Sequence, residues 1–136
     1  MADARIKFGT GQRPDELFSG IAKDNARQIA QDGKDKFGNQ KNNKSTQLRK
    51  FYDELVMWYD KVFEHGVDRE ARYKELAPFI KMLCAKVTYA KGRGHVSPSF
   101  EDMFSHVVKS INTPETLKDA KLFMEAFMGF HKAEEK

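Results

Sequence analysis

A single cysteine, Cys84, is all the thiol chemistry the chain holds. One cysteine excludes an intrachain disulfide and every zinc pattern built on several cysteines. Apolar runs are short: none approaches the roughly 18 residues that span a bilayer. The opening MADARIKFGTGQ also lacks the apolar stretch of a secretory signal. These absences predict a cytoplasmic protein without membrane contact. Nucleotide and metal motifs are missing too. No GxGxxG run or phosphate-binding glycine loop occurs, and Gly92-Arg93-Gly94 follows a helical stretch instead of opening one after a strand. His65, His95, His106 and His131 lie far apart, and none belongs to an HExxH pair. No cofactor and no metal are expected.

What is present has helical spacing. At 136 residues with 40% apolar side chains, the chain fits one domain able to bury a core of its own. Pro14 opens a first helix to about Gln31, buried through Leu17, Phe18, Ile21, Ala22 and Ile29 and stopped by Gly33. A polar, basic stretch at 33–44, GKDKFGNQKNNK, reads as a mobile loop. Ser45 or Thr46 then caps a helix whose stripe is Leu48, Phe51, Tyr52, Leu55, Trp58, Tyr59, Val62 and Phe63. Asp68 caps a further segment disturbed at Pro78, after which Phe79, Ile80, Leu83, Cys84, Val87 and Ala90 form a buried stripe. Ser97 or Ser99 starts a fourth helix and Thr113-Pro114-Glu115 a fifth. The expectation is an all-α, compact bundle of about five helices. Residues 1–13 are expected to be a flexible lead-in, 14–131 one helical domain, and 132–136 a flexible end.

Charge is polarised. Lys34, Lys36, Lys41, Lys44, Arg49 and Lys50 face one acid, Asp35, in the first basic segment; Lys81, Lys86, Lys91 and Arg93 face none in the second. The whole chain is only +4, so the remainder is net acidic. Such polarity suits a polyanion, although solvated helix faces explain it equally well. Met82, Lys86, Tyr89 and Arg93 share one helix face, and two cations beside a tyrosine suit single-stranded nucleic acid. A ring half-buried between helices is the other reading of Tyr89. Lys44, Arg49 and Lys50 crowd a helix N-terminus, where the dipole disfavours cations unless an anion binds there. Trp58 and Tyr59 sit on the apolar stripe and are assigned to packing. Met57, Met82 and Met128 lie off the main stripes and are candidates for subunit contact.

No catalytic residue is assigned. Asp102 and His106 stand four apart on one helix, but a solvent-facing pair explains them better than a catalytic dyad. Cys84 lies between Leu83 and Val87 on a core stripe and reads as a structural thiol.

Two motifs carry a family likeness. Ser45-Thr46-Gln47-Leu48-Arg49 opens the second helix, and Tyr89-Ala90-Lys91-Gly92-Arg93 ends a later lysine-bearing one. In this order, from about residue 35 to 131, the chain resembles the small subunit of the type III-A CRISPR effector (Csm) complex. The resemblance implies a non-catalytic subunit that stacks in several copies and holds guide and target RNA beside the other subunits, in antiviral defence. It implies RNA contact at Lys44, Gln47, Arg49, Lys86, Tyr89, Lys91 and Arg93. Lys50 and Lys41 join these from their place in the basic segment alone. A helical adaptor making only protein contacts, and the small subunit of the related type III-B complex, are the alternatives.

Overall fold

The computed structural model describes residues 1–135, and every regular element among them is helical. A π-helical turn, Leu17–Ile21, leads into α1 (Ala22–Asp32). There follow α2 (Ser45–Val62), α3 (Arg69–Lys81), α4 (Leu83–Gly92), α5 (Pro98–Lys109) and α6 (Pro114–Glu134). Met82 alone parts α3 from α4, so the two form one bent rod and the bundle has five helical bodies. The caps are those the sequence predicts at three starts. Asp68 Oδ1 accepts from Ala71 N–H, Ser97 Oγ from Phe100 N–H and Thr113 Oγ1 from Thr116 N–H. Pro98 and Pro114 fill first helical positions, where a missing amide costs nothing.

α6 is the axis of the bundle: ten of its 21 residues are buried, with α1 and α2 packed along it and α4 resting on α5. Phe100, Phe104, Phe123 and Phe127 are wholly enclosed. Phe100 and Phe104 stack at 5.6 Å, and Phe51 of α2 tilts against both. Burying one such ring contributes about 1.5–3 kcal/mol, so this aromatic cluster fixes how α2, α5 and α6 meet.

Several expectations need correction. Residues 1–13 do not stand apart: Ile6 and Phe8 are in the core, and Arg13 Nη1 lies 2.9 Å from both oxygens of buried Asp119 on α6. Gly9 donates its amide to Asp119 Oδ2 at 2.7 Å from a φ of 102°, a conformation that only glycine adopts without strain. Nor is 33–44 an open loop. Gly33 O accepts from the amides of Lys41 and Asn42, and a Cβ at position 33 would meet Asn42 O at 2.3 Å. Lys34 and Gln40 form an isolated bridge, and Asp35 Oδ1 accepts from the Phe37 and Asn39 amides.

The break expected at Pro78 falls at Met82. Pro78 sits on the solvent side of α3, so the carbonyl of Lys74 that it leaves unpaired also lies at an exposed position. A proline disturbs the turn before it, so the interruption at Met82, four residues further on, is not the effect of Pro78. Phe18 and Phe79, expected in the core, are 37% and 51% exposed, and Phe79 stacks outside on Trp58 at 6.1 Å. Met128, expected outside, is only 8% exposed. The end at 132–136 is not loose up to residue 135. α6 runs to Glu134 and Glu135 bonds to α2, while Lys136 lies outside the described residues. No helix is long and apolar enough to cross a membrane, among the residues described.

Candidate nucleic-acid interface

Two helix faces with the same spacing line one groove. α2 presents Gln47, Lys50, Phe51 and Glu54; α4 presents Lys86, Tyr89, Ala90 and Arg93, and His95 closes one end around a cavity of about 300 Å³. Steps of three and four keep each set on one side of its helix, while Leu48, Leu55, Leu83 and Val87 turn inward and hold the pair in place. Phe51 forms the floor, packed on Phe100 and Phe104. Tyr89 stands 66% exposed on the rim. Arg93 lies over its ring at 5.8 Å and donates Nη1–H to the tyrosine hydroxyl at 3.3 Å. This settles the position of Tyr89: it is an open ring, not one enclosed between helices.

The groove is not uniformly basic. Glu54 holds Lys86, with Nζ at 2.8 and 3.0 Å from its two oxygens, and also accepts weakly from Trp58 Nε1. Spacing signals Glu54 by its place seven residues after Gln47, but its bond to Lys86 depends on how two helices meet, which spacing cannot give. Lys50 and Arg93 have no acidic partner within ion-pair distance among the described residues and are the cations available to a ligand.

The other candidates lie elsewhere. Lys91 points away from the groove to Glu101 of α5 at 3.4 Å. Arg49 faces the α2–α6 side, 3.6 Å from Asp53 and over the Tyr52 ring. Lys41 is exposed in the 33–44 segment. Lys44, not Ser45 or Thr46, is the N-cap residue of α2, and its amide donates to Gln47 Oε1 at 3.1 Å. Gln47 therefore has a capping duty besides its place in the groove. Lys81 is withdrawn from any polyanion: its Nζ donates to the carbonyls of Val108 and Ile111 and so caps the end of α5.

The anion expected at the start of α2 comes from the chain itself. Glu135 Oε2 accepts from Ser45 N–H at 2.7 Å and Oε1 from Ser45 Oγ–H at 2.6 Å. These bonds hold its carboxyl below the usual carboxylate range against the opposing effect of burial. Asp102 does not orient His106. It accepts from the Met1 amino group, and His106 Nε2 lies 2.8 Å from Ile6 O. No cluster of three or more histidine, cysteine or acidic side chains with metal-binding placement occurs among the described residues. Cys84 is half-buried, with Sγ near Ser105 O.

One turn before Glu135, His131 is wholly buried and neither ring nitrogen has a hydrogen-bond partner. Burial pushes its pKa down, opposed chiefly by the nearby Glu135 carboxylate. The neutral ring thus contributes stability above about pH 6.5 that is lost as pH falls toward the lower folded value. Urea unfolding between about pH 7.5 and 5.5 is expected to lose up to roughly 1.4 kcal/mol per pH unit, and His131→Phe to flatten that slope. An equal slope in the variant would assign the loss to other groups.

The profile of the family Csm2 Type III-A matches residues 23–136. No curated protein and no solved structure matches the chain. The matched span covers most of the chain and contains both walls of the α2–α4 groove and α6 behind them. The chain belongs to the Csm2 type III-A family, the small subunits of type III-A CRISPR effector complexes.

Proposed function

We propose that this subunit holds single-stranded RNA, guide or target, along the α2–α4 groove and catalyses nothing itself. The carrying observation is the meeting of Lys50 and Arg93 around an exposed Tyr89 over an apolar floor. The two cations suit phosphates, and the ring offers a stacking face to a base. Such contacts read no sequence, which suits a subunit working beside a guide that pairs with its target. Each copy binds weakly, and copies stacked along one strand add their contacts. The setting is a cytoplasmic ribonucleoprotein in antiviral defence, with the other effector subunits and further copies of this chain as partners.

Fluorescence anisotropy of a labelled single-stranded RNA across a salt series tests this reading. Lys50→Glu/Arg93→Glu is expected to weaken binding by at least about ten-fold and to flatten the salt dependence by roughly two phosphates' worth. Circular dichroism should show both proteins helical. A folded double variant with wild-type affinity and salt slope would remove the groove from RNA binding.

The protein-only adaptor draws on a different observation. Met57, Phe79 and Met82 are exposed, with Trp58 beneath Phe79. Under that reading salt leaves RNA affinity unchanged, and polar replacements at these residues break assembly.

A further inference from the structure

Phe37, in the segment between α1 and α2, is 77% exposed, more open than any other aromatic side chain among the described residues. A loose backbone is not the reason. Gly38 N–H donates to Asp35 O at 3.0 Å and Asp35 N–H to Asn39 O at 2.8 Å, which closes a turn with Phe37 at its corner. Asp35 Oδ1 accepts from the Phe37 and Asn39 amides and fixes the same corner from within. Such corners ordinarily take Gly, Pro, Asn, Asp or Ser. A phenylalanine there buries almost nothing, so packing of the free chain does not account for it. Its surroundings are basic. Lys36 Nζ lies over the ring at 5.2 Å from the centroid, and Lys41 and Lys44 are exposed on the same segment. None of these three lysines has an acid within ion-pair distance among the described residues. The one acid of the segment, Asp35, is committed to the turn amides.

The segment is also tied to the groove. Asn43 N–H donates to the carbonyl of His95, which closes one end of the α2–α4 groove, and Lys44 N–H donates to Gln47 on its wall. Phe37 stands six residues before Asn43, at most about 20 Å of extended chain. A strand leaving the groove past His95 is within reach of the turn. We propose that the 35–39 turn is a second contact for single-stranded RNA, in which Phe37 stacks on a base and Lys36, Lys41 and Lys44 meet the neighbouring phosphates. The inference rests on the RNA reading of the groove and extends it along the strand. Cations beside an aromatic face are the recurring arrangement for unpaired nucleotides, whose bases are free to stack. A backbone already fixed loses little freedom when it binds. Charge favours RNA over a protein partner, because three unpaired lysines around one ring suit a run of phosphates.

The test uses the full chain and an oligoadenylate of about 16 nucleotides, the upper span of a single-module site. Circular dichroism first shows each variant to be helical. Phe37→Ala is expected to weaken binding at least about five-fold, the effect of losing one stacked base. Lys36→Glu/Lys41→Glu should flatten the salt dependence by roughly two phosphates' worth. Phe37→Trp is the direct probe: its fluorescence should be quenched as RNA is added, and wild type, with Trp58 alone, supplies the background. Unchanged affinity in Phe37→Ala, with no added quenching in Phe37→Trp, would overturn the proposal. If Lys50→Glu/Arg93→Glu has lost affinity in the same series, the groove stands without the turn. Retained affinity in that groove variant, with quenching in Phe37→Trp, keeps the turn and removes the groove. Phe37→Ala that keeps its RNA affinity but loses self-association in sedimentation assigns the ring to a protein contact and overturns the proposal as well. No binding by wild type at low salt overturns turn and groove together.

Discussion

Asn43→Ala is expected to lower the unfolding free energy by about 3 kcal/mol, the cost of losing three buried hydrogen bonds and stranding one buried amide. Asn43 is fully enclosed and uses its whole amide. Nδ2 donates to Ile29 O at 2.9 Å and to Ser97 Oγ at 2.8 Å, and Oδ1 accepts from Ser97 N–H at 2.8 Å. Its backbone amide also donates to His95 O. One side chain thus joins the end of α1 to the start of α5, just ahead of α2. Alanine would leave the Ser97 amide without a partner and the Ile29 carbonyl with the Gly33 amide alone, and would meet a φ of 55° that asparagine tolerates better. Asn43→Gly relieves the backbone but not the bonds, so it should recover only the smaller part. Thermal unfolding is expected to drop by about 10 °C for alanine. A drop under about 2 °C would mean that water replaces the amide without cost.

The same residue shows what spacing can and cannot disclose. Helices α2, α5 and α6 were legible because Leu48, Phe104 and Phe127 recur with their neighbours at helical steps, and caps such as Thr113 mark the starts. GKDKFGNQKNNK has too few apolar residues to suggest order, and order there comes from hydrogen bonds within the segment, such as Lys41 to Gly33, and to residues distant in sequence, above all Asn43 to Ser97. Burial of Ile6 and Phe8 was equally hidden, since an isolated pair near one end has no period to reveal it. Phe18 and Phe79 fit a helical stripe by spacing, yet neighbouring elements leave both partly open.

In the interface, Lys86, Tyr89 and Arg93 were legible as one face because one helix carries them. That Gln47 and Lys50 stand opposite, while Arg49 and Lys91 turn to other sides, depends on how α2 meets α4, α5 and α6. Acids decide the rest. Glu54, Glu101 and Asp53 pair with Lys86, Lys91 and Arg49, so a tally of lysines and arginines overstates the charge presented to RNA. Lys50 and Arg93 therefore rank above Lys86 and Lys91 as expected RNA contacts.

Asp119→Ala carries the other large expected effect, about 3 kcal/mol of lost stability, because it strips a buried carboxylate from an arginine and a glycine amide together. Asp119 is enclosed on α6, within the span matched by the family profile, whereas Arg13 and Gly9 precede it. The bond set therefore ties residues outside the matched span to the central helix. Arg13 keeps a third of its side chain in solvent, so its pairing is screened; the Gly9 amide bond at 2.7 Å is buried and is not. Arg13→Ala should then cost less than Asp119→Ala, and the double variant little more than Asp119→Ala alone. Urea unfolding of the three proteins measures this coupling. Simple additivity would show that Arg13 and Asp119 act separately, and that Ile6 and Phe8 hold the N-terminal segment without them. With coupling, Asp119→Ala should release that segment first, and faster amide exchange at Ile6 and Phe8 should precede any loss of the α2–α4 groove.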